Sequence, residues 1–337
     1  MVVKLIKLGI IGTNWITQQF VEAVKLSGRY ELVSVYSRHA ETAKTFAEKN
    51  GAQETFTDLD QFLSQGAFDT VYIASPNSLH FAQAKKAIQA GKNVIVEKPA
   101  FSTQKQMAAI QQLLDENDQV LYFEAARNIH TENFHTIEKK LGELKTVQGA
   151  EFTYSKYSSR YDKVLAGEVP NVFSPKFAGG ALQDLGVYTV YDAVALFGMP
   201  EDAVYFPQRI TSGVDGKGTA ILTYPEYNVT LNFSKITNSH MTSEIYGLKD
   251  LIEIDDAGEI NAVIYIDDDQ NKQMIGNTIN ENPMLPEAKD FARVIEDPHH
   301  SQNQKDYAYW RQLSVYVNQL IYQLRQSAHI SFTGEEN

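Results

Sequence analysis

Asn93-Val94-Ile95-Val96-Glu97-Lys98-Pro99 is an apolar run that stops on a lysine and a proline. The run reads as a buried strand, and Pro99 cannot continue it because proline has no N–H for the next ladder bond. Lys98 is thereby set at the C-terminal mouth of the strand, which is where open sheets of parallel strands bind their ligands. Outward from this stretch the same grammar repeats. Toward the N-terminus, residues 4–11, 31–36 and 70–73 are strand candidates. Between them lie helical patterns at 15–27, with Phe20, Val21 and Val24 on one face, at 41–49, and at 79–90 closed by Gly91. Beyond Pro99 come a helix over 105–117 and a strand over 119–123. Strands alternating with helices through short connections predict a parallel, doubly wound α/β sheet.

The pattern then changes. Residues 144–161 form a polar, aromatic-rich run that predicts one long extended strand. From Gly218 onward the residues alternate: Val229, Leu231 and Phe233 face one way, Thr230, Asn232 and Ser234 the other, after a turn at Pro225-Glu226. Further strands are expected at 243–246, 251–254 and 262–266, and helices at 286–296 and roughly 306–326. This predicts an α+β domain whose open, mainly antiparallel sheet has one wet or partner-covered face. The expected division is residues 1–125 and 126–337, with the boundary near 124–130.

Composition narrows the function. The formal net charge is −12, which argues against bulk nucleic-acid or anionic-membrane binding but leaves room for a small anion held by a few local cations. With no cysteine, disulfides, thiolate metal sites and a cysteine nucleophile are excluded. Lys4 and Lys7 interrupt the first apolar run, no signal-peptide core follows, and no stretch of about 18 apolar residues occurs. A cytoplasmic location is expected.

After the first strand comes Gly9-Ile10-Ile11-Gly12-Thr13-Asn14-Trp15-Ile16-Thr17. A dinucleotide fingerprint wants glycine at 12, 14 and 17, or alanine at the last; only Gly12 complies. Gly12 supplies the tight turn, Asn14 tolerates positive φ better than most residues, and the amides of Thr13, Asn14, Trp15 and Ile16 at the helix start suit a pyrophosphate. An ordinary strand–helix turn is the bland alternative. The second strand ends at Val35-Tyr36-Ser37-Arg38, where NAD-selective sites carry an acid for the ribose 2′-hydroxyl. Ser37 and Arg38 instead suit a 2′-phosphate, so NADP is the expected cofactor, with NAD the alternative. Ser75-Pro76-Asn77 follows the strand over 70–73 on the same side; Asn77 or Ser78 is placed to cap the next helix, and His80 falls in its first turn.

The opening turn, Pro76-Asn77 with His80, Glu97-Lys98-Pro99, and Gly179-Gly180-Ala181-Leu182-Gln183-Asp184-Leu185-Gly186-Val187-Tyr188 occur in this order. In this the chain resembles the glucose–fructose oxidoreductase/inositol dehydrogenase (Gfo/Idh/MocA) family over nearly its whole length. The resemblance implies an N-terminal Rossmann domain and a C-terminal domain whose sheet builds homodimers or homotetramers. It also implies oxidation of a sugar, sugar derivative or vicinal diol, or the reverse reduction. The family's lysine maps onto Lys98 and its aspartate onto Asp184. Its usual histidine is replaced by Tyr188, as in the dihydrodiol dehydrogenase, NADP-dependent xylose dehydrogenase and glucose–fructose oxidoreductase branches.

The residues themselves fit such chemistry. Hydride transfer needs a proton partner on the substrate oxygen. A free tyrosine, with pKa about 10, is a poor base at neutral pH, and a nearby ammonium stabilises its phenolate. Tyr188 is the expected acid/base, Lys98 its tuner and substrate anchor, and Asp184, four residues before Tyr188, an orienting acceptor; which of Lys98 and Tyr188 formally carries the proton stays open. Cofactor contacts are expected from Gly12, Thr13, Asn14, Trp15, Ile16, Ser37, Arg38, Ser75, Pro76, Asn77, His80, Glu97 and Lys98. Arg127, in the crossover after the last strand of the first domain, is expected to hold cofactor, and it or Asn128 a hydroxyl-rich substrate, with structural bonding between the domains the equal alternative. A non-catalytic dinucleotide-binding sensor of the same fold is the alternative, although such a protein needs neither Lys98 nor Tyr188. No metal site is expected: His130 and His135 do not match a metalloprotease spacing, and Asp267-Asp268-Asp269 lacks the glycine and alternation of a calcium loop.

Overall fold

The computed structural model describes residues 5–335; Lys4, counted above in the first strand, lies outside them. The chain divides into two compact units, Met1–Ala125 with Glu281–Ser314, and Ala126–Asn280 with Val315–Asn337. No helix among the described residues is long and apolar enough to cross a membrane.

In the first unit, β1 (Ile6–Ile11), β2 (Tyr30–Tyr36), β3 (Glu54–Phe56), β4 (Thr70–Ile73), β5 (Asn93–Glu97) and β6 (Tyr122–Ala125) form one sheet in the order β3-β2-β1-β4-β5-β6. Every neighbouring pair is parallel. Helices α1 (Trp15–Ser27), α2 (Ala40–Asn50), α3 (Leu59–Gln65), α4 (Asn77–Gln89) and α5 (Gln104–Glu116) make the crossovers. Strands covered on both faces read as unbroken apolar runs, and β4 is buried at all four positions. The chain leaves β1 on one side for β2 and returns on the other for β4. The C-terminal ends of β1 and β4 therefore flank the switch point where such sheets bind ligands.

The division differs from 126–337 at one place: residues 281–314 return to the first unit. The cause is α9 (Leu285–Glu296), which buries Ala288, Phe291, Ala292 and Val294 in the core of the parallel sheet. The Phe291 ring stacks on Phe123 at 4.7 Å, and the Tyr30 hydroxyl donates to the Ala288 carbonyl at 2.9 Å.

The second unit is built on β7 (Gly149–Ser155), β8 (Asp202–Arg209), β9 (Asp215–Thr223), β10 (Asn228–Ser234), β11 (Ser243–Tyr246), β12 (Leu251–Ile254), β13 (Val263–Ile266) and β14 (Lys272–Gly276). Their order is β14-β13-β12-β11-β7-β10-β9-β8. Only β7 and β10 run parallel; the other neighbours are antiparallel. Val229, Leu231 and Phe233 are buried together with Phe152 and Tyr154. The expected long strand over 144–161 is shorter: β7 begins at Gly149, whose φ is +139°, and gives way to α7 (Tyr161–Leu165) through the turn that Tyr161 N closes on Ser158 O at 2.8 Å. Helix α6 (Glu132–Leu141), which is not among the expected elements although Phe134, Ile137 and Leu141 recur at helical spacing, precedes β7. The segment after Gly180 is composite, a π-helical turn over Leu182–Gly186 followed by α8 (Val187–Phe197). The last helix, α10, runs from Ser301 to Ser327.

The Gly179-Gly180 pair is a close-approach device. A Cβ on Gly179 would lie 2.7 Å from the Val172 backbone, and one on Gly180, whose φ is +129°, would lie 2.1 Å from Asp215 Oδ1. That buried carboxyl accepts from Leu182 N and from Tyr205 Oη, each at 2.7 Å, so it cannot step aside. Gly180→Ala should destabilise the protein by about 2–3 kcal/mol and lower its melting temperature. Gly28→Asn, at a left-handed helix end with open space around it, should leave the melting temperature nearly unchanged.

Candidate active site

The first unit's site is built at the ends of β1, β4 and β5. Gly12 leaves β1 with φ +107°, and a Cβ there would meet the Ala74 carbonyl oxygen at 2.7 Å. Asn14 sits at φ −85° in ordinary extended backbone, so its place does not depend on tolerance of positive φ. It caps α1: its Oδ1 accepts from Ile16 N at 3.0 Å and Thr17 N at 3.1 Å, and its Nδ2 donates to Ala74 O at 3.0 Å. The Thr17 hydroxyl, fully buried, donates to the same Oδ1 at 3.3 Å. The two departures from the fingerprint are thus two halves of one cap. The amides of Ile16 and Thr17 are committed to it, which narrows the helix-start donors for an anion to Thr13, Asn14 and Trp15. The Trp15 side chain is 70% exposed. At the end of β2, Ser37 is half-buried and Arg38 exposed.

The turn carrying Lys98 is pinned from three sides. Tyr72 Oη donates to the buried Glu97 carboxylate at 2.5 Å. The His80 ring, fully buried, bridges Ser75 O through Nε2 at 2.8 Å and Pro99 O through Nδ1 at 3.2 Å. Ala100 N donates to Glu124 Oε1 at 2.9 Å, and Ser314 Oγ holds the other oxygen of Glu124. The Lys98–Pro99 peptide is cis, and Lys98 itself is half-buried. Ser75 Oγ donates to Gln83 at 2.6 Å. Neither Asn77 nor Ser78 caps α4: Pro76 takes the cap position, without a side-chain bond, and Asn77 is the first helical residue. His80 is too buried to face a cofactor and acts on the two loops instead. Tyr72, Gln83 and Glu124 escaped the sequence reading because nothing local marks a side chain whose partner lies on a different strand or helix.

In the second unit, Tyr188 opens α8 and is 5% exposed. The Tyr154 ring meets it edge-on at 5.4 Å. Asn128 Nδ2 donates to Tyr188 O at 3.3 Å and to Asp192 Oδ1 at 2.8 Å, tying the crossover to the helix. Burial pushes the Asp192 carboxyl well above the usual carboxylate range, against the pull of the Asn128 bond. Asp184, in the π-helical turn, is held by an ion pair with the buried Lys235 at the end of β10. Arg127, expected at cofactor or substrate, is buried: its Nη2 donates to Glu259 at 3.1 Å and its Nε to Gly258 O at 3.4 Å.

Comparison with known proteins agrees with this architecture. The model of an oxidoreductase family with an NAD-binding Rossmann fold, Gfo/Idh/MocA, matches residues 6–125. The uncharacterized oxidoreductase YgjR of Escherichia coli (strain K12) is 39% identical over 293 residues, covering 87% of this chain and 89% of the relative. The chain belongs to the Gfo/Idh/MocA family. The scyllo-inositol 2-dehydrogenase (NADP(+)) IolU of Bacillus subtilis (strain 168) shows the same 39% identity with the same coverage, 87% and 89%. Among solved structures, KijD10, a 3-ketoreductase from Actinomadura kijaniata, superposes with TM-score 0.82 at 19% identity over 96% of this chain and 98% of its own, a likeness of fold. As a Gfo/Idh/MocA member the chain is a nicotinamide-dependent oxidoreductase. Its residues fit a dinucleotide: only a glycine passes Ala74 O at position 12, and Arg38 stands exposed at the end of β2.

The His80 bridge gives the first unit a pH signature. Burial lowers the affinity of the ring for protons, whereas in the unfolded chain it titrates near 6.5. A depressed folded pKa means stability that is complete above the unfolded value and is lost as the pH falls from about 6.5 toward the folded one. In melting curves between roughly pH 7.5 and 5, a His80→Asn variant should be less stable than the parent at the upper end. The gap should narrow as the pH falls; a constant gap would separate the bridge from the titration.

Proposed function

We propose that this protein is an NADP-preferring dehydrogenase or reductase that interconverts a secondary alcohol and a ketone on a sugar-like polyol, with Lys98 and Tyr188 handling the substrate oxygen. The observation that carries the reading is the Lys98 turn, fixed by Tyr72, His80 and Glu124 at the ligand end of the parallel sheet. A lysine carried on a turn held this firmly from separate elements starts from a fixed backbone position. The likeness to a scyllo-inositol 2-dehydrogenase (NADP(+)) supports the polyol and the phosphorylated cofactor.

The dinucleotide would rest on the Gly12–Trp15 turn, with Ser37 and Arg38 on its 2′-phosphate and Ser75, Pro76 and Asn77 beside β4. When bound, it would supply a nicotinamide as hydride acceptor or donor for the substrate carbon. Tyr188 Oη accepts the hydroxyl proton as the carbonyl forms and gives it back in reduction. The Lys98 ammonium donates a hydrogen bond to the same oxygen and stabilises both the forming alkoxide and the phenolate. Asp184 holds Lys235 and so fixes the π-helical turn that leads into Tyr188. Assembly through the sheet of the second unit is supported by its open face, where Thr153, Lys217, Thr219 and Asn232 line a groove beside Phe206, 61% exposed. Phe206→Glu should reduce the particle mass seen by light scattering; an unchanged mass would remove that face from the assembly.

The deciding experiment is a titration with NADPH and NADH followed by tryptophan fluorescence, since Trp15 adjoins the turn. NADPH should bind more tightly, and Arg38→Ala should weaken it roughly 10- to 100-fold, the worth of one charged contact, with little effect on NADH. Lys98→Ala and Tyr188→Phe should keep NADPH affinity and lose roughly 10²- to 10⁴-fold in turnover of scyllo-inositol or a related polyol. Full turnover in either variant would refute the assigned roles, and failure to bind either nucleotide would refute the reading as a whole.

A further inference from the structure

Arg127 is the first residue past the turn that follows β6, and its side chain is only 8% exposed. Its guanidinium carbon lies 5.4 Å from the centre of the Tyr188 ring, over the face of that ring. A buried arginine needs partners, and these are set out by the loop between β12 and β13. Asp256 Oδ1 accepts from Gly258 N at 2.7 Å and Glu259 N at 3.0 Å, which folds the loop so that Gly258 O and the Glu259 carboxylate reach Arg127. Gly258 has to be glycine, because a Cβ there would stand 2.5 Å from the Tyr154 ring, the ring that meets Tyr188 edge-on. Asn128, the next residue, bonds Tyr188 O. The phenol is therefore gripped on its backbone by Asn128, at its edge by Tyr154 and on its face by Arg127.

We propose that Arg127 is a positioning residue for Tyr188: its guanidinium holds the ring and favours the phenolate, while Glu259 sets how much of that charge the ring feels. The proposal rests on the reading of Tyr188 as the acid/base and adds the group that tunes it from within its own unit. A cation over an aromatic face is attracted to the ring's electron density, more so when desolvated, and a phenolate ring is richer in electrons than a phenol. Guanidinium is the suitable cation because it is planar and weakly hydrated. Several titratable groups of its own unit stand near the ring. Tyr154 is pushed up by burial, as are Asp256 in the loop and Asp192 one helical turn further on. Glu259 faces Arg127, and Arg127 is the cation seen over the face of the ring.

The test needs no substrate. Alkaline titration is followed by tyrosinate absorbance, and each protein is compared with its own Tyr188→Phe counterpart, so that the difference isolates one of 18 tyrosines. Arg127→Met, which keeps length and packing, should raise the Tyr188 midpoint by about one pH unit. Glu259→Gln, which unmasks the guanidinium, should lower it by a smaller amount. Loosening of the site alone would move both variants the same way, so the opposite signs are the signature. The proposal is overturned if both midpoints stay with the parent, if they move together, or if the parent and its Tyr188→Phe form titrate alike up to the pH at which the fold is lost. Should Arg127→Met fail to fold, Glu259→Gln carries the test through its sign. Full turnover by Tyr188→Phe, by contrast, would remove the acid/base assignment and leave the measured tuning of the ring untouched.

Discussion

The carbonyl oxygen of Ala74 is the point on which the first unit's site turns. It stands so close to the opening turn that position 12 admits only glycine, and it receives the Asn14 carboxamide that caps α1. One residue further, Ser75 O takes the His80 ring, whose other nitrogen meets Pro99 O beside Lys98. The Gly12 turn on one strand end and a lysine on another are thus joined by backbone carbonyls and the side chains of Asn14 and His80. Parallel strands place their C-terminal ends side by side but do not fix the distance between the loops that leave them. Here Asn14 and His80 supply that constraint, and each bond runs to backbone rather than to a mobile side-chain tip.

The same geometry changes the meaning of the irregular fingerprint. Scored position by position, Asn14 and Thr17 look like two lost glycines. In the fold they bond each other and the helix amides, so the pair trades open anion-binding amides for a preformed helix start. A capped terminus keeps its shape whether or not an anion is present. The exposed Arg38, at the far end of β2, is the residue on which the proposed preference for NADP rests.

Legibility in the sequence followed the range of the forces. The parallel sheet could be read because burial on both faces writes itself as continuous apolar runs, and β10 could be read because one buried face writes itself as alternation. Residues 281–314 could not be assigned to the first unit, because the fit of Phe291 against Phe123 is a contact between segments far apart in the chain. The 144–161 run misled for the opposite reason: its tyrosines suit a strand locally, but Gly149 and the turn at Ser158 cut it short. Lys98 and Tyr188 stood out by motif, whereas their supports, Tyr72, Glu124 and Glu259, have ordinary sequence surroundings and acquire meaning only through partners distant in sequence. Arg127 was visible in the crossover, but its place over the Tyr188 ring depends on a helix some sixty residues further along the chain.

The second unit shows why such supports are worth their energetic cost. Burying the Asn128–Asp192 pair between the crossover and α8 leaves Asn128 Oδ1 and Asp192 Oδ2 without a partner among the described residues, at a price of about 1–3 kcal/mol for each such atom. An apolar pair of the same volume would be more stable. It could not, however, donate to the Tyr188 carbonyl, and the first turn of α8 would lose its backbone tie to the crossover that carries Arg127. Proton transfer tolerates errors of only a few tenths of an ångström in the placement of a hydroxyl. A fold that commits polar groups to the backbone of one tyrosine, and a buried cation to its face, has exchanged stability for placement at the residue where the proposed chemistry demands it.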